Sequence, residues 1–185
     1  MILDVFSNWN LIRTAGFIAY FLLTISIMAG LMQKISSFQN QKQLLMEIHK
    51  ISGWIGTLNV IFHAILLLFD QYVPYQIWEI MIPFVAKNEP FFSGIGTISF
   101  YLFLIVMLTS DFFLKKLGFK LWKKLHFLVI PAWVLMILHG IFIGTDSEEI
   151  WAIIIYSAGI VLITTLLMMR YFESKVKVVH RKNAN

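Results

Sequence analysis

Apolar runs of helical length alternate with short polar breaks along the whole chain. A hydrocarbon core of roughly 30 Å is crossed by about 20 apolar residues in helical form. Five runs qualify: Leu11 to Met32, Leu44 to Asp70, Phe92 to Phe113, Leu121 to Ile143 and Ile150 to Met169. The pattern predicts an all-α polytopic membrane bundle of about five transmembrane helices, forming one domain over residues 1–185. A loop rich in Gln and Ser, Lys34 to Lys42, separates the first two helices, and a basic turn, Lys115 to Lys124 around Gly118, separates the third from the fourth. Gly144, Thr145 and Asp146 end the fourth helix, and residues 170–185 make a polar, basic tail. One stretch departs from the pattern. Gln71 to Pro90 contains Pro74, Pro83 and Pro90 and mixes Tyr72, Tyr75 and Trp78 with Glu79, Lys87 and Glu89. It is too interrupted to span, and its mixture of aromatic and charged residues suits the bilayer interface.

Composition removes the soluble alternative: 59% of the residues are hydrophobic and 14% charged, against about a quarter charged in a soluble domain. The absence of cysteine excludes disulfides, thiolate ligation of a metal and iron–sulfur clusters on these residues. The first ten residues hold Asp4 and no Lys or Arg; a cleaved signal would carry a positive start, so the first apolar run is expected to be retained. Thirteen of the 15 Lys and Arg residues fall in the first and third loops, the C-terminal tail and the adjoining Lys50, leaving only Arg13 and Lys87 on the other side. Seven of the ten acidic residues lie on that second side. Basic loops stay cytoplasmic, so the N-terminus is expected outside and the C-terminus inside, in what is expected to be a bacterial cell membrane.

Four of the five histidines stand on two of these helices as pairs, His49 with His63 and His126 with His139. Ionisable side chains inside membrane helices are rare and costly, and they tend to mark function. At about 100° per residue, the fourteen-residue step from His49 to His63 falls within about 40° of a whole number of turns, so the two imidazoles share a face about 21 Å apart. Both helices run outward, which pairs His49 with His126 near the cytoplasmic face and His63 with His139 near the outer face. The simplest chemistry is two haems, each held by one histidine from each helix. Structural hydrogen bonding or another metal are the alternatives. The thirteen-residue step from His126 to His139 turns through about 220° on an ideal helix. Either a kink at Pro131 re-aims one imidazole, or the two haems approach this helix from different sides.

Further residues gain meaning from these four. Gly53 and Gly56 lie four and seven positions after His49 on its face, where a missing side chain makes room for a large ring or for close helix packing. Trp133, seven positions after His126, is placed to put an aromatic ring between the two haems, or else is core filler. Haem propionates are anionic, and Lys50, Lys123 and Lys124 flank the inner ligands, though they also serve as positive-inside residues. Arg13 is placed to hold an outer propionate or attract an anionic acceptor, or simply to snorkel to the interface. His180, in the charged tail, is expected to be solvated, and the nine methionines are expected to be core filler. The competing function class is a haem-free small membrane transporter or assembly factor with a histidine-lined proton or metal path.

The two histidine spacings, the basic turn into Trp122, Lys123, Lys124, Leu125 and His126, the Ser110–Asp111 end of the third helix and the run Arg13, Thr14, Ala15, Gly16 together resemble the ferric reductase-like transmembrane domain family. That family includes the membrane parts of ferric reductases and NADPH oxidases and the haem subunit of the bacterial methionine sulfoxide reductase system. The resemblance covers residues 11–146. It implies a di-haem cytochrome of b type, an oxidoreductase component with His49, His63, His126 and His139 as the ligands of haem iron. It further implies a quinol or a separate flavoprotein as electron donor, and ferric iron, oxygen or an extracytoplasmic partner reductase as acceptor. No nucleic-acid partner is expected. Ferric reductases and NADPH oxidases continue into a flavin and nicotinamide domain, but this sequence has no Gly-rich nucleotide loop, so no flavin or nicotinamide site is expected on it. Many members also have six helices, against the five read from this sequence.

Overall fold

The computed structural model describes residues 7–183, with side chains through residue 176; Asp4 and His180 lie outside the described residues. Seven helices follow one another: α1 Asn8–Met32, α2 Lys42–Leu67, α3 Ile77–Met81, α4 Pro90–Asp111, α5 Leu114–His126, α6 Val129–Ile143 and α7 Ile150–Asn183, with a 3₁₀ turn Ser36–Gln41 between the first two. Helices α1, α2, α4 and α7 are each long and apolar enough to cross a bilayer, and α5 with α6 makes a fifth candidate span, bent by 40°. The bundle is therefore all-helical and polytopic, as the apolar runs predict. Helix α7 runs on well past Met169, because no Gly or Pro interrupts the chain after Gly159. Its 34 residues extend about 51 Å, well beyond a hydrocarbon core of roughly 30 Å.

Helix α1 is the hub: it packs on α2, α6 and α7, while α4 packs chiefly on α6. Its buried face alternates small Ala15, Ala19 and Ala29 with Tyr20, Leu23 and Ile27, and small residues let membrane helices approach closely. Hydrocarbon offers no water to stray polar groups, so these must pair inside the bundle. Trp133 Nε1 donates to Thr24 Oγ1 at 2.9 Å, Ser99 Oγ donates to the Ala132 carbonyl at 2.8 Å, and the Tyr20 hydroxyl donates to the Ile155 carbonyl at 3.1 Å. The helix with His49 and His63, α2, makes little close backbone contact with α5 and α6, which carry His126 and His139. The space left between them is where the site forms.

The interrupted stretch between α2 and α4 is closed by one carboxylate. Glu79 on α3 accepts from the backbone N–H of Gln76 at 2.7 Å and from that of Lys87 at 3.0 Å. Chiefly the Gln76 N–H, then that of Lys87 and its charge, hold the Glu79 carboxyl below the usual carboxylate range. A lowered native value means that the contribution is full above the unfolded value of about 4.3 and is lost as the pH falls through the native one. Glu79→Ala is therefore expected to lower the hydrogen-exchange protection factors of the Gln76 and Lys87 amides, and acidification of the unaltered chain to lower the same factors, with those of α1 and α2 unaffected. Unchanged exchange of this loop in the variant would show that the carboxylate does not hold it.

Candidate functional site

Each of the four paired histidines is anchored through its Nδ1 to a neighbouring helix. His49 Nδ1 lies 2.8 Å from the Ser26 carbonyl and His63 Nδ1 lies 2.9 Å from the Ile12 carbonyl, both on α1. His139 Nδ1 lies 2.9 Å from the Phe92 carbonyl on α4, and His126 Nδ1 lies 3.1 Å from Ser110 Oγ on the same helix. A carbonyl can only accept, so the first three Nδ1 atoms carry the proton. Ser110 donates its own proton to the Val106 carbonyl at 2.7 Å, so it too accepts from His126. These contacts fix the tautomer of each ring in its neutral form, with the proton on Nδ1 and the Nε2 lone pair free.

Glycines make this anchoring possible. The accepting carbonyls of Ile12, Ser26 and Phe92 each stand four residues before a glycine: Gly16, Gly30 and Gly96. A helical Cβ tilts toward the N-terminus and covers the carbonyl one turn back, so a missing Cβ uncovers it. A Cβ built at Gly96 would lie 2.5 Å from His139 Nδ1, and one at Gly30 would lie 3.1 Å from His49 Nδ1. At Gly16 the corresponding distance to the His63 ring is an ordinary 3.5 Å. Gly16 and Gly30 are fourteen residues apart, matching His49 and His63 on the facing helix; Gly96 and Ser110 are also fourteen apart, against the thirteen between His126 and His139.

The thirteen-residue step on the second histidine helix is accommodated at the α5–α6 break. Pro131 has no N–H, so the Phe127 carbonyl accepts from Ile130 instead, at 3.2 Å, and Leu128 N donates to the Leu125 carbonyl at 3.0 Å. These two tighter turns, with the 40° bend, leave both His126 and His139 directed at α4.

The histidines meet in two cavities. His49 and His126 line one of about 710 Å³ at the end of the bundle that carries Lys34, Lys50, Lys123 and Arg170. Their ring centres are 5.8 Å apart. His63 and His139 line the other, of about 300 Å³, at the end that carries Arg13, Asp70 and Asp146. Both volumes fall in the range of roughly 300–1,000 Å³ that cofactor and small-molecule sites take.

The remaining sequence candidates divide. Gly53 lines the larger cavity, but a Cβ there would first meet Ser26 Oγ at 3.0 Å. Gly56 lines neither cavity and packs against Leu22 and Leu23, so close helix packing is its role. Trp133 is buried against Thr24 and also lines neither cavity. The ring common to both is Phe103, 3% exposed, which alone among the described residues lines the two cavities. Arg13 is already engaged: Nε donates to Asp146 Oδ2 at 2.6 Å and Nη2 to Oδ1 of the same carboxylate, tying α1 to the loop after α6. Lys50 and Lys123 line the larger cavity and Lys124 does not. Arg170, with its guanidinium 5.4 Å from the Phe127 ring centre, joins them there without having stood out in the sequence. Ser110 and Trp122 entered the sequence reading only among the residues that carry the family resemblance.

The family model described as ferric reductase like transmembrane component matches residues 15–137, or 123 of the 185 residues. The chain belongs to the ferric reductase-like transmembrane family. For a ferric reductase-like chain a membrane electron-transfer role follows, and transmembrane domains of this family generally bind haem. The match contains His49, His63 and His126 and stops two residues before His139. Comparison with curated proteins and with solved structures gives no significant match.

The residues fit haem. Among the described residues no three His, Cys, Asp or Glu side chains converge, and each cavity is lined by a pair of imidazoles. A bare metal site usually draws about four ligands from protein and water. A pair of imidazoles would hold a group that brings further donors of its own. The 5.8 Å between the His49 and His126 rings agrees with this. Two nitrogen–metal bonds of about 2 Å, plus about 1 Å from each nitrogen to its ring centre, come to about 6 Å.

Proposed function

We propose that this chain is a transmembrane electron conduit, an oxidoreductase component holding two b-type haems, one between His49 and His126 and one between His63 and His139. The observation that carries the reading is the repetition of a single arrangement at two depths: an imidazole pair, every Nδ1 anchored and every Nε2 free, facing an apolar cavity. Bound haem supplies one-electron exchange between ferric and ferrous iron. The chain's residues do the rest. The carbonyls of α1 and α4 and the Ser110 hydroxyl fix the tautomer and plane of the ligands, apolar walls exclude water, and Phe103 stands between the two cavities as the relay ring. Lys50, Lys123 and Arg170 supply cations for propionates at the basic end. The bias of Lys and Arg puts that end in the cytoplasm, so electrons run from a cytoplasmic-side donor, a quinol or separate flavoprotein, to an outer acceptor such as ferric iron, oxygen or a partner reductase.

The test is a reduced-minus-oxidised absorption spectrum of the purified chain with haem counted per polypeptide. The expected result is b-type bands and about two haems. A folded chain without haem after haem-replete expression would sink the proposal and leave a histidine-lined proton or metal path.

A further inference from the structure

We propose that Ser110 is a positioning residue that sets the electron-donating strength of His126 and, through it, the reduction potential of the centre at the basic end; this rests on the two-haem reading above. His49, His63 and His139 are anchored to backbone carbonyls at 2.8, 2.9 and 2.9 Å. His49 also has the Ser26 hydroxyl within 3.1 Å of its Nδ1, but only His126 has a side-chain hydroxyl, that of Ser110 at 3.1 Å, in place of a carbonyl. That oxygen is shared. Trp122 Nε1 donates to it at 3.2 Å, and the indole has no other polar atom to place. The Trp122 ring lies 5.1 Å from the His126 ring at 32°, so one hydroxyl orients both rings. Asp111, next in the chain, is taken by Trp54 Nε1 at 2.5 Å and leaves Ser110 as the anchor.

A ligand imidazole becomes a better donor to iron as its Nδ1–H bonds more strongly to an acceptor, and such outer partners tune the metal. A hydroxyl divided between two donors is a weaker acceptor than an amide carbonyl. His126 is thus the least polarised of the four ligands, and it belongs to one centre only. Two substitutions then act on that centre with opposite signs. Ser110→Ala removes the acceptor, weakens donation to the ferric state and raises the midpoint. Trp122→Phe keeps a ring in place but ends the competition for the oxygen, strengthens the His126 bond and lowers the midpoint.

The experiment is a potentiometric titration of both haems in the purified, haem-loaded full chain, with electron paramagnetic resonance of the ferric centres and haem release to an excess of a haem-scavenging protein. In Ser110→Ala one midpoint is expected to rise while the other stays, with haem release from that site about 10- to 100-fold faster. Ser110→Thr restores both values. In Trp122→Phe the same midpoint falls. Two retained haems with unmoved midpoints in Ser110→Ala overturn the assignment, and so do shifts of one sign in both variants. If Ser110→Ala binds no haem at the basic end, an unmoved midpoint in Trp122→Phe overturns it. An unaltered chain without haem overturns the two-haem reading and this inference with it; two haems and no shift overturn this inference alone.

Discussion

Single alanine substitutions at the four paired histidines are expected to sort into two classes, each losing one haem of two. His63→Ala and His139→Ala lose the same one, at the acidic end, and His49→Ala and His126→Ala lose the other. The two ligands of one iron act as a unit, so their effects do not add. The double variant His63→Ala/His139→Ala therefore keeps about as much haem as either single, whereas His49→Ala/His63→Ala keeps almost none. The contrast is large because it asks for one haem against zero in chains carrying the same number of substitutions. Haem per polypeptide and the midpoint of what remains give the answer. Half the haem surviving in His49→Ala/His63→Ala would mean that the ligands pair differently. Glutamine at the same positions separates the function classes. It can still hydrogen-bond but would not replace a ligand imidazole, so a haem protein loses its colour where a hydrogen-bonding path would persist.

The cross-membrane organisation was legible because it depends on local quantities. Span length follows from consecutive apolar residues, and the depth of each histidine follows from its place along a span. What joins helices was not legible, because it depends on which faces meet. Gly53 and Gly56 share a helix face with His49, and the sequence left room for a ring and close packing both open; α2 lies against α1, and Gly56 meets Leu22 and Leu23 there. Trp133 lies at a suitable depth and is drawn instead to Thr24 by its N–H. Phe103 had no mark in the sequence to set it apart from the other 16 phenylalanines. Arg13 finds its partner 133 residues away, in Asp146. The anchoring code, by contrast, was written in the chain: Gly16 with Gly30, and Gly96 with Ser110, repeat the fourteen-residue spacing of His49 and His63. It becomes readable only when α1 is known to face α2, and α4 to face both α5 and α6.

That code makes a graded series of glycine-to-alanine substitutions the sharpest test of how the site is built. At Gly96 the new Cβ would lie 2.5 to 2.9 Å from three atoms of the His139 ring, closer than carbon and nitrogen tolerate, so the ring must leave the Phe92 carbonyl. The expected result is loss of the acidic-end haem with the other retained. At Gly30 the approach to His49 is 3.1 Å and weaker binding at the basic end is expected, whereas at Gly16 the 3.5 Å contact with His63 is ordinary and both haems stay. Gly56→Ala is the control: its Cβ meets Leu23 at 2.9 Å, and overpacking of this kind costs roughly 1–3 kcal/mol. That variant should melt at a lower temperature while binding both haems alike, because it crowds a helix contact and no ligand. Haem count beside thermal stability distinguishes the two outcomes. If Gly96→Ala melts earlier but keeps both haems, the glycine serves packing and His139 does not depend on an uncovered carbonyl. If it keeps its melting temperature and loses one haem, the backbone of α4 is what aims the ligand.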